Sequence, residues 1–287
     1  CKSDILKVKP DVVILIDYGG FNMKIAKFCN QHGIRVFYYI SPKVWAWNTS
    51  RALKLKKHVD RMFVILPFEK QFFKGFNWDV DYVGNPVLDA VKNHKSSDVV
   101  EGDFIALLPG SRPQELKHGL PIFIELVRKF PELDFRVAAV DSVYAKLYEL
   151  IQKEANVKLA YNHTYDLLGK AKAAVVTSGT ATLETALWKV PQVVTYATSG
   201  ASYLIAKSLI KVDYISLVNL IVGKPVVKEL IQNDFNADNI GLELDRLLNN
   251  SKYRSDMLSR YEDLYETLDI GSASENTAEL MVHYLKR

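Results

Sequence analysis

Short, unbroken apolar runs alternate along the chain with longer segments in which apolar positions return every three or four residues. The unbroken runs read as strands buried on both faces, at residues 12–17, 36–41, 61–66, 81–83, 104–108, 135–140, 157–160, 173–177 and 192–196. Helical periodicity falls between them, at 114–129, 142–154, 181–188 and 201–211. From about Ala237 the pattern is helical to the end, and Ser274 is placed to cap a last amphipathic helix over 275–286. Buried strands separated by helices predict an α/β protein with parallel sheets, whose ligands bind at the carboxyl ends of the strands.

The alternation breaks once, at Lys92-Asn-His-Lys-Ser-Ser-Asp98, which reads as a linker. The expected organisation is a Rossmann-like first domain over 1–91, a second over 92–255, and C-terminal helices over 256–287 that pack back on the first. A chain of 287 residues is long enough for two ordinary domains. It opens at Cys1 without a methionine, and its first domain holds fewer βα units than its second. The first domain is therefore expected to lack its N-terminal part.

Composition narrows the class. At 48% apolar and 24% charged the chain is an ordinary globular sequence, with no apolar run long enough to cross a bilayer and no signal-peptide pattern. Two cysteines, Cys1 and Cys29, are too few for a disulfide framework and suggest a cytoplasmic location. The net charge of +4 is mild but unevenly spread: Arg51, Lys54, Lys56, Lys57, His58 and Arg61 crowd one segment, flanked by Trp45 and Trp47 before and by Phe72, Phe73 and Trp78 after. Basic side chains beside aromatics suit an anionic lipid surface. A solvated helix face beside core aromatics is the plainer reading on composition alone. Nucleic acid is not expected as a partner, since no recognition motif accompanies the charge.

Two loops carry candidate chemistry. In Leu107-Leu-Pro-Gly-Ser-Arg112 an apolar strand breaks at Pro109-Gly110, and a helix start follows, with Ser111 and Gln114 spaced as a capping box and Pro113 in the first turn. Arg112 would then face the loop mouth, where helix N–H groups and a guanidinium suit a phosphate. A well-made βα corner with a solvated arginine is the alternative. In Thr177-Ser-Gly-Thr-Ala-Thr-Leu-Glu184 the same arrangement recurs: Gly179 permits close approach, Ser178 and Thr180 add hydroxyls, and Glu184 could accept from ribose hydroxyls or simply complement the helix dipole. Two such loops look like two walls of a nucleotide site. Asp17, at a strand's carboxyl end before Gly19-Gly20, is a candidate general base or an ordinary turn carboxylate. The histidines lack metal-ligand spacing, so no metal site is indicated.

Taken together, several blocks resemble the lipid A disaccharide synthase family, inverting glycosyltransferases of the GT-B type with two Rossmann-like domains facing across a cleft. They are Pro10-Asp-Val-Val-Ile-Leu-Ile-Asp17 with Gly20-Phe-Asn22, Tyr38-Tyr-Ile-Ser-Pro-Lys-Val-Trp-Ala-Trp47, His58-Val-Asp-Arg61, Val83-Gly-Asn-Pro86, the two loops above, and Tyr214-Ile-Ser-Leu-Val-Asn-Leu220. The Ser-Pro-x-Val-Trp-Ala-Trp and Leu-Pro-Gly-Ser-Arg blocks in that order are highly specific.

The resemblance implies transfer of 2,3-diacylglucosamine from its UDP ester to the 6-hydroxyl of 2,3-diacylglucosamine 1-phosphate, with release of UDP and without cofactor or metal. It places the family's functional aspartate, arginine and asparagine at Asp17, Arg112 and Asn219. Nucleotide and substrate contacts are implied at Gly110, Ser111, Arg112, Ser178, Gly179, Thr180, Glu184 and Asn219, and also at Glu229 and Gln232 of a Glu-Leu-x-Gln element. The expected partners are the acylated donor and acceptor and the cytoplasmic face of the inner membrane, with a homodimer as an option. The segment bearing Trp45, Trp47, Lys54, Lys56, Lys57, Phe72, Phe73 and Trp78 then becomes the expected membrane face. The family's first segment, with a Gly-Glu-Ala-Ser-Gly-Asp loop, has no counterpart here, so UDP binding is expected of the chain itself and transfer only with that segment restored. Rival readings are another GT-B enzyme, such as a UDP-sugar epimerase, and a catalytically silent UDP-sugar-binding protein.

Overall fold

The computed structural model describes residues 1–94, 102–140, 145–198 and 212–286, and of Trp47 the backbone only. The chain divides into two compact units, one built from Cys1–Asp89 and the segment from Glu266 on, the other from the remaining described residues. The divisions fall inside helices α6 and α13, defined below.

The first unit holds a parallel sheet of β1 (Val12–Ile16), β2 (Arg35–Tyr39), β3 (Arg61–Val64) and β4 (Asp81–Tyr82), in that spatial order. Its helices are α1 (Lys2–Val8), α2 (Gly19–Gln31), α3 (Val44–Trp47), α4 (Arg51–His58), α5 (Pro67–Lys74) and the start of α6 (Pro86–Asn93). Successive strands present alternate residues to opposite faces. Val36, Tyr38, Met62 and Val64 therefore meet Ile25 and Cys29 of α2, Leu55 of α4 and Phe73 of α5 in one core. Phe37 and Phe63 face the other way, onto Met281 of the C-terminal helix.

Two strands end earlier than the apolar pattern suggests, because the backbone turns left-handed. Asp17 and Tyr18 have φ of 46° and 44° after β1, and Ile40 has φ of 63° after β2. For a β-branched residue such as Ile40 that conformation is a true outlier, tolerated only where the surroundings over-determine it.

The second unit holds a six-stranded parallel sheet of β5 (Phe104–Leu108), β6 (Asp134–Ala139), β7 (Val157–Tyr161), β8 (Ala173–Thr177), β9 (Gln192–Tyr196) and β10 (Lys228–Ile231). Its helices are α7 (Pro113–Lys129), α8 (Ala145–Tyr148), α9 (Thr164–Leu168), α10 (Thr180–Leu187), α11 (Leu217–Val222), α12 (Ala237–Asn249) and most of α13 (Ser251–Leu268). The spatial order is β10-β9-β8-β5-β6-β7, so the winding reverses between β5 and β8. Both strands are buried throughout, as their unbroken apolar runs require.

Four sequence expectations need correction or limitation. The strand β10 went unseen, since four residues at a sheet edge give little pattern. The described part of the predicted 142–154 helix is instead the short α8 and a 3-10 turn over Ile151–Lys153, while 142–144, the predicted helix at 201–211 and residues 95–98 of the predicted linker lie outside the described residues. The last helix, α14 (Ala273–Leu285), is capped not by Ser274 but by Ser272, whose hydroxyl accepts from the Glu275 N–H. The aromatic half of the predicted membrane face is largely core: Trp45, Phe73 and Trp78 are 7%, 0% and 8% exposed, and Phe72 is half-buried against them. Amphipathic α5 turns Phe73 inward against Trp78, and α3 turns Trp45 inward, where their large apolar area stabilises the fold most.

Candidate functional site

Ligands of open α/β sheets gather outside the carboxyl ends of strands where the winding reverses. In the second unit that point lies between β5 and β8, whose ends pair Leu108 with Val176. The two sequence-identified loops leave these adjacent strands side by side. Gly110 has φ of 93°, and a Cβ there would lie 2.9 Å from the Cβ of Glu115, so only glycine fits.

The capping of α7 differs from expectation. With Pro113 at the first helical position, Arg112 becomes the N-cap residue, and Glu115 rather than Gln114 caps. One Glu115 carboxylate oxygen accepts from the Ser111 and Arg112 N–H groups at 3.0 and 3.1 Å, and the other from Arg112 Nη1 at 2.7 Å. The Arg112 side chain is nonetheless 76% exposed. An exposed ion pair contributes at most about 1 kcal/mol, so a more highly charged ligand can take the guanidinium from Glu115. Ser111, expected as the cap, instead offers an exposed hydroxyl beside it.

After β8, the Ser178 hydroxyl donates to Ile215 O at 2.8 Å, and Gly179 caps α10 with open space where a Cβ would be. Thr180 is exposed in the first turn. Glu184, one turn on, is half-buried and accepts from the Tyr165 hydroxyl at 3.4 Å. Burial pushes its carboxyl above the ordinary range, and the Tyr165 contact opposes that shift. Burial, with the Glu184 charge second, in turn pushes the Tyr165 phenol up to about 12.

Asn219 does not reach outward. It is 1% exposed, its Oδ1 accepts from the Val226 and Val227 N–H groups, and its Nδ2 donates to Val227 O and Glu229 Oε1. An amide with all these bonds made has no capacity for a ligand, so the expected catalytic contact is corrected to a structural clamp. Glu229 is likewise engaged, accepting from the Ile215 and Ser216 N–H groups, and Gln232 pairs with both backbone groups of Thr198. Asn219 and Glu229 brace the segment that holds Ser178, and Gln232 ties down the end of β9 beside it.

In the first unit, Asp17 sits at the carboxyl end of β1 with an exposed side chain, and its left-handed backbone is pinned from behind. Asn22 donates to the carbonyls of Ile16 and Asp17, and the Tyr38 hydroxyl donates to Asp17 O at 2.6 Å. Sequence reasoning missed Glu115, Tyr165, Asn22 and Tyr38. Only Glu115 left a usable signal, the Pro113 that sets the helix start one residue later.

Among the described residues no group of three His, Cys, Asp or Glu is arranged to hold a metal, and no helix is long and apolar enough to cross a membrane. Of the basic segment, Lys54 and Lys57 are exposed on α4 beside the exposed Leu53, while Lys56 donates to the carbonyls of Phe76 and Asn77.

Comparison with known proteins adds a family. The lipid-A-disaccharide synthetase family model matches residues 1–282. The lipid-A-disaccharide synthase of Syntrophus aciditrophicus is 39% identical, over 100% of this chain and 79% of that one. That of Geobacter sulfurreducens is 35% identical over 98% and 77%, respectively. Among solved structures, the UDP-GlcNAc 2-epimerase from Neisseria meningitidis bound to UDP-GlcNAc superposes with a TM-score of 0.69 at 15% identity, covering 98% of this chain and 79% of that one. The S. aureus MnaA-UDP co-structure gives 0.70 at 14% identity, over 99% and 79%. At such identity the structural likeness shows the two-domain α/β fold alone.

Proposed function

This chain belongs to the lipid-A-disaccharide synthetase family, and from that premise we infer that it is a glycosyltransferase of lipid A biosynthesis. The reaction passes 2,3-diacylglucosamine from UDP-2,3-diacylglucosamine to the 6-hydroxyl of 2,3-diacylglucosamine 1-phosphate and releases UDP. The observation that carries the site is the placement of both motif loops at the winding reversal of the six-stranded sheet.

An inverting transfer of this kind has two electrostatic tasks. As the bond from the anomeric carbon to the diphosphate breaks, negative charge grows on the leaving group, and the attacking hydroxyl must give up its proton. The first N–H groups of α7 and α10 suit the first task as donors fixed by the backbone, and Arg112 joins them once the diphosphate draws its guanidinium from Glu115. Glu184 holds the ribose hydroxyls through acceptor capacity that Tyr165 leaves unused. Asp17, an exposed carboxylate on a rigid turn of the first unit, receives the proton. Positive charge is thus supplied by side chain and backbone, with no resident metal or cofactor. The protein works at the cytoplasmic face of the inner membrane as a peripheral enzyme, and the exposed Leu53, Lys54 and Lys57 of α4 face the anionic headgroups.

The test is incubation of the chain with both acylated substrates in detergent micelles, followed by mass spectrometry, with UDP affinity from calorimetry. Disaccharide 1-phosphate and UDP in equal amounts are expected when the family's first segment is supplied, and UDP binding without transfer when it is not. Conversion of the donor sugar without acceptor would indicate an epimerase. UDP binding with no chemistry even with that segment supplied would indicate a silent binding protein.

A further inference from the structure

A buried acid in the first unit has no part in the chemistry above, yet it organises the strand ends beside Asp17. Glu69, in the first turn of α5, is 2% exposed. Its carboxylate gathers four donors from two separate segments. Oε1 accepts from the Ser41 hydroxyl at 2.5 Å and from the Trp45 indole N–H at 3.1 Å, and Oε2 from the Ile65 and Leu66 N–H groups at 3.2 and 3.0 Å. Burial pushes the carboxyl above its ordinary range, and the four donors pull it back toward the charged form. A buried charge with every acceptor site occupied is a rigid joint, since loosening any one contact exposes the rest to loss.

What it joins is the connection between β2 and α4 to the end of β3. Ser41 opens that connection and Trp45 lies on its short helix α3; the connection leaves β2 through the strained Ile40 at φ of 63°. Trp45 is seated further by an edge-on contact with Phe68, ring centroids 4.9 Å apart. Between them lies Pro42, which closes on Gly19, where a Cβ would lie 2.8 Å from the Pro42 ring. Gly19 directly follows Asp17 and Tyr18, both left-handed. The order of contact is therefore Glu69 to Ser41 and Trp45, Pro42 to Gly19, and the Gly19 turn to Asp17. Three non-glycine residues in a costly backbone conformation, at the carboxyl ends of two neighbouring parallel strands, mark a region held against its local preference.

We propose that Glu69 is a positioning residue for the acceptor: through Ser41, Trp45 and the Pro42–Gly19 contact it holds the turn that presents Asp17 to the acylated glucosamine 1-phosphate. The proposal rests on the transferase reading and on Asp17 facing the acceptor. It assigns Glu69 no contact with substrate. The seven-residue block that contains Ser41 and Trp45 then has a physical role, as the armature of a turn rather than a surface for lipid.

Glu69→Gln separates this role from simple folding. The amide keeps the volume, and its oxygen can stay on the Ile65 and Leu66 N–H groups. Its NH2 then meets Ser41, whose hydroxyl can turn round and accept, and Trp45, whose indole is donor only. The variant therefore keeps one tie and breaks the other. Three quantities are measured on parent, Glu69→Gln, Ser41→Ala and Trp45→Phe: the indole N–H resonance of residue 45 where an indole remains, UDP affinity by calorimetry, and affinity for the detergent-dispersed acceptor. Glu69→Gln is expected to shift the Trp45 indole signal and to weaken acceptor binding at least tenfold, with UDP affinity within twofold of the parent. Ser41→Ala and Trp45→Phe each weaken acceptor binding three- to tenfold and leave UDP alone. Parental acceptor affinity in Glu69→Gln despite a shifted indole signal would overturn the proposal. Equal losses for UDP and acceptor would also overturn it, as general unfolding. A parent that binds UDP but no acceptor would refute the transferase reading itself.

Discussion

Single positions decide how the two motif loops are held. Gly110 is the clearest, because its φ of 93° and the neighbouring Glu115 side chain leave no place for a Cβ. Gly110→Ala is expected to cost about 1–3 kcal/mol of stability and to displace the Glu115 cap. Urea denaturation measures the first and UDP calorimetry the second, and a parental midpoint would mean that the loop relaxes at no cost. Asn219 makes the opposite kind of claim. Removing its amide in Asn219→Ala strands two N–H groups and a carbonyl in the interior. At about 1–3 kcal/mol for each unsatisfied group, the loss should be on the order of 3 kcal/mol or more. A variant with parental thermal stability and no turnover would return Asn219 to direct catalysis.

Elements show where patterning misleads. Phe73 on α5 stands among basic and aromatic neighbours in sequence, but it packs edge-on to Trp78 at 5.2 Å and is wholly buried. Phe73→Ala should therefore cost about 3–5 kcal/mol, against less than about 0.5 for a residue on a lipid-facing surface. Thermal unfolding distinguishes the two. Helix α9 carries a second device: Asp166 accepts from His163 at 2.9 Å and from His94 at 3.0 Å, two histidines far apart in sequence. These contacts, His163 first, hold the Asp166 carboxyl below its usual range. The sign follows from linkage. A depressed folded pKa adds stability above the unfolded value of about 3.9 and loses it as pH falls through the lower folded value. Asp166→Asn should accordingly flatten the acid limb of the stability profile below about pH 4. An unchanged slope in acid titrations of the parent and the variant would show that the contacts have no thermodynamic weight.

At the scale of the whole molecule the question is what surrounds it. No described helix is long and apolar enough to cross a bilayer, and the proposed membrane contact is the exposed face of α4. Each lysine near an anionic membrane is worth about 1 kcal/mol at low salt. Charge reversal at Lys54 and Lys57 should sharply reduce sedimentation with phosphatidylglycerol vesicles. Reversal at Lys56 should do less to binding and more to stability, since its ammonium is committed to the Phe76 and Asn77 carbonyls. Equal vesicle binding by all variants would leave α4 as a plain solvated face. Turnover should also persist in EDTA, with Arg112 and helix N-termini carrying the charge stabilisation; loss on chelation with recovery on added Mg²⁺ would refute that account.

Much of this protein is legible in one dimension. Unbroken apolar runs such as Phe104–Leu108 and Ala173–Thr177 announce parallel strands because a strand covered on both faces has no polar side to show. The loops after them are readable because Pro109-Gly110 and Ser178-Gly179 are local backbone chemistry, fixed by φ and by hydrogen-bond capacity at their own positions. Capping, too, is local, although a shift of one residue exchanges Ser111 for Arg112. What patterning does not carry is which surface each side chain meets. Trp45, Phe73 and Trp78 look the same in sequence whether they face lipid or core, and packing alone turned them inward. Asn219, Glu229 and Gln232 are expected as ligand contacts only because the family resemblance places them there. Only the folded arrangement, which spends their donors and acceptors on Val226, Val227, Ile215, Ser216 and Thr198, makes them a brace. The same holds for Glu69 with Ser41 and Trp45, and for His94 with Asp166. Pairings across long stretches of chain are set by the sheet that brings those stretches together, and no periodicity along the sequence records them.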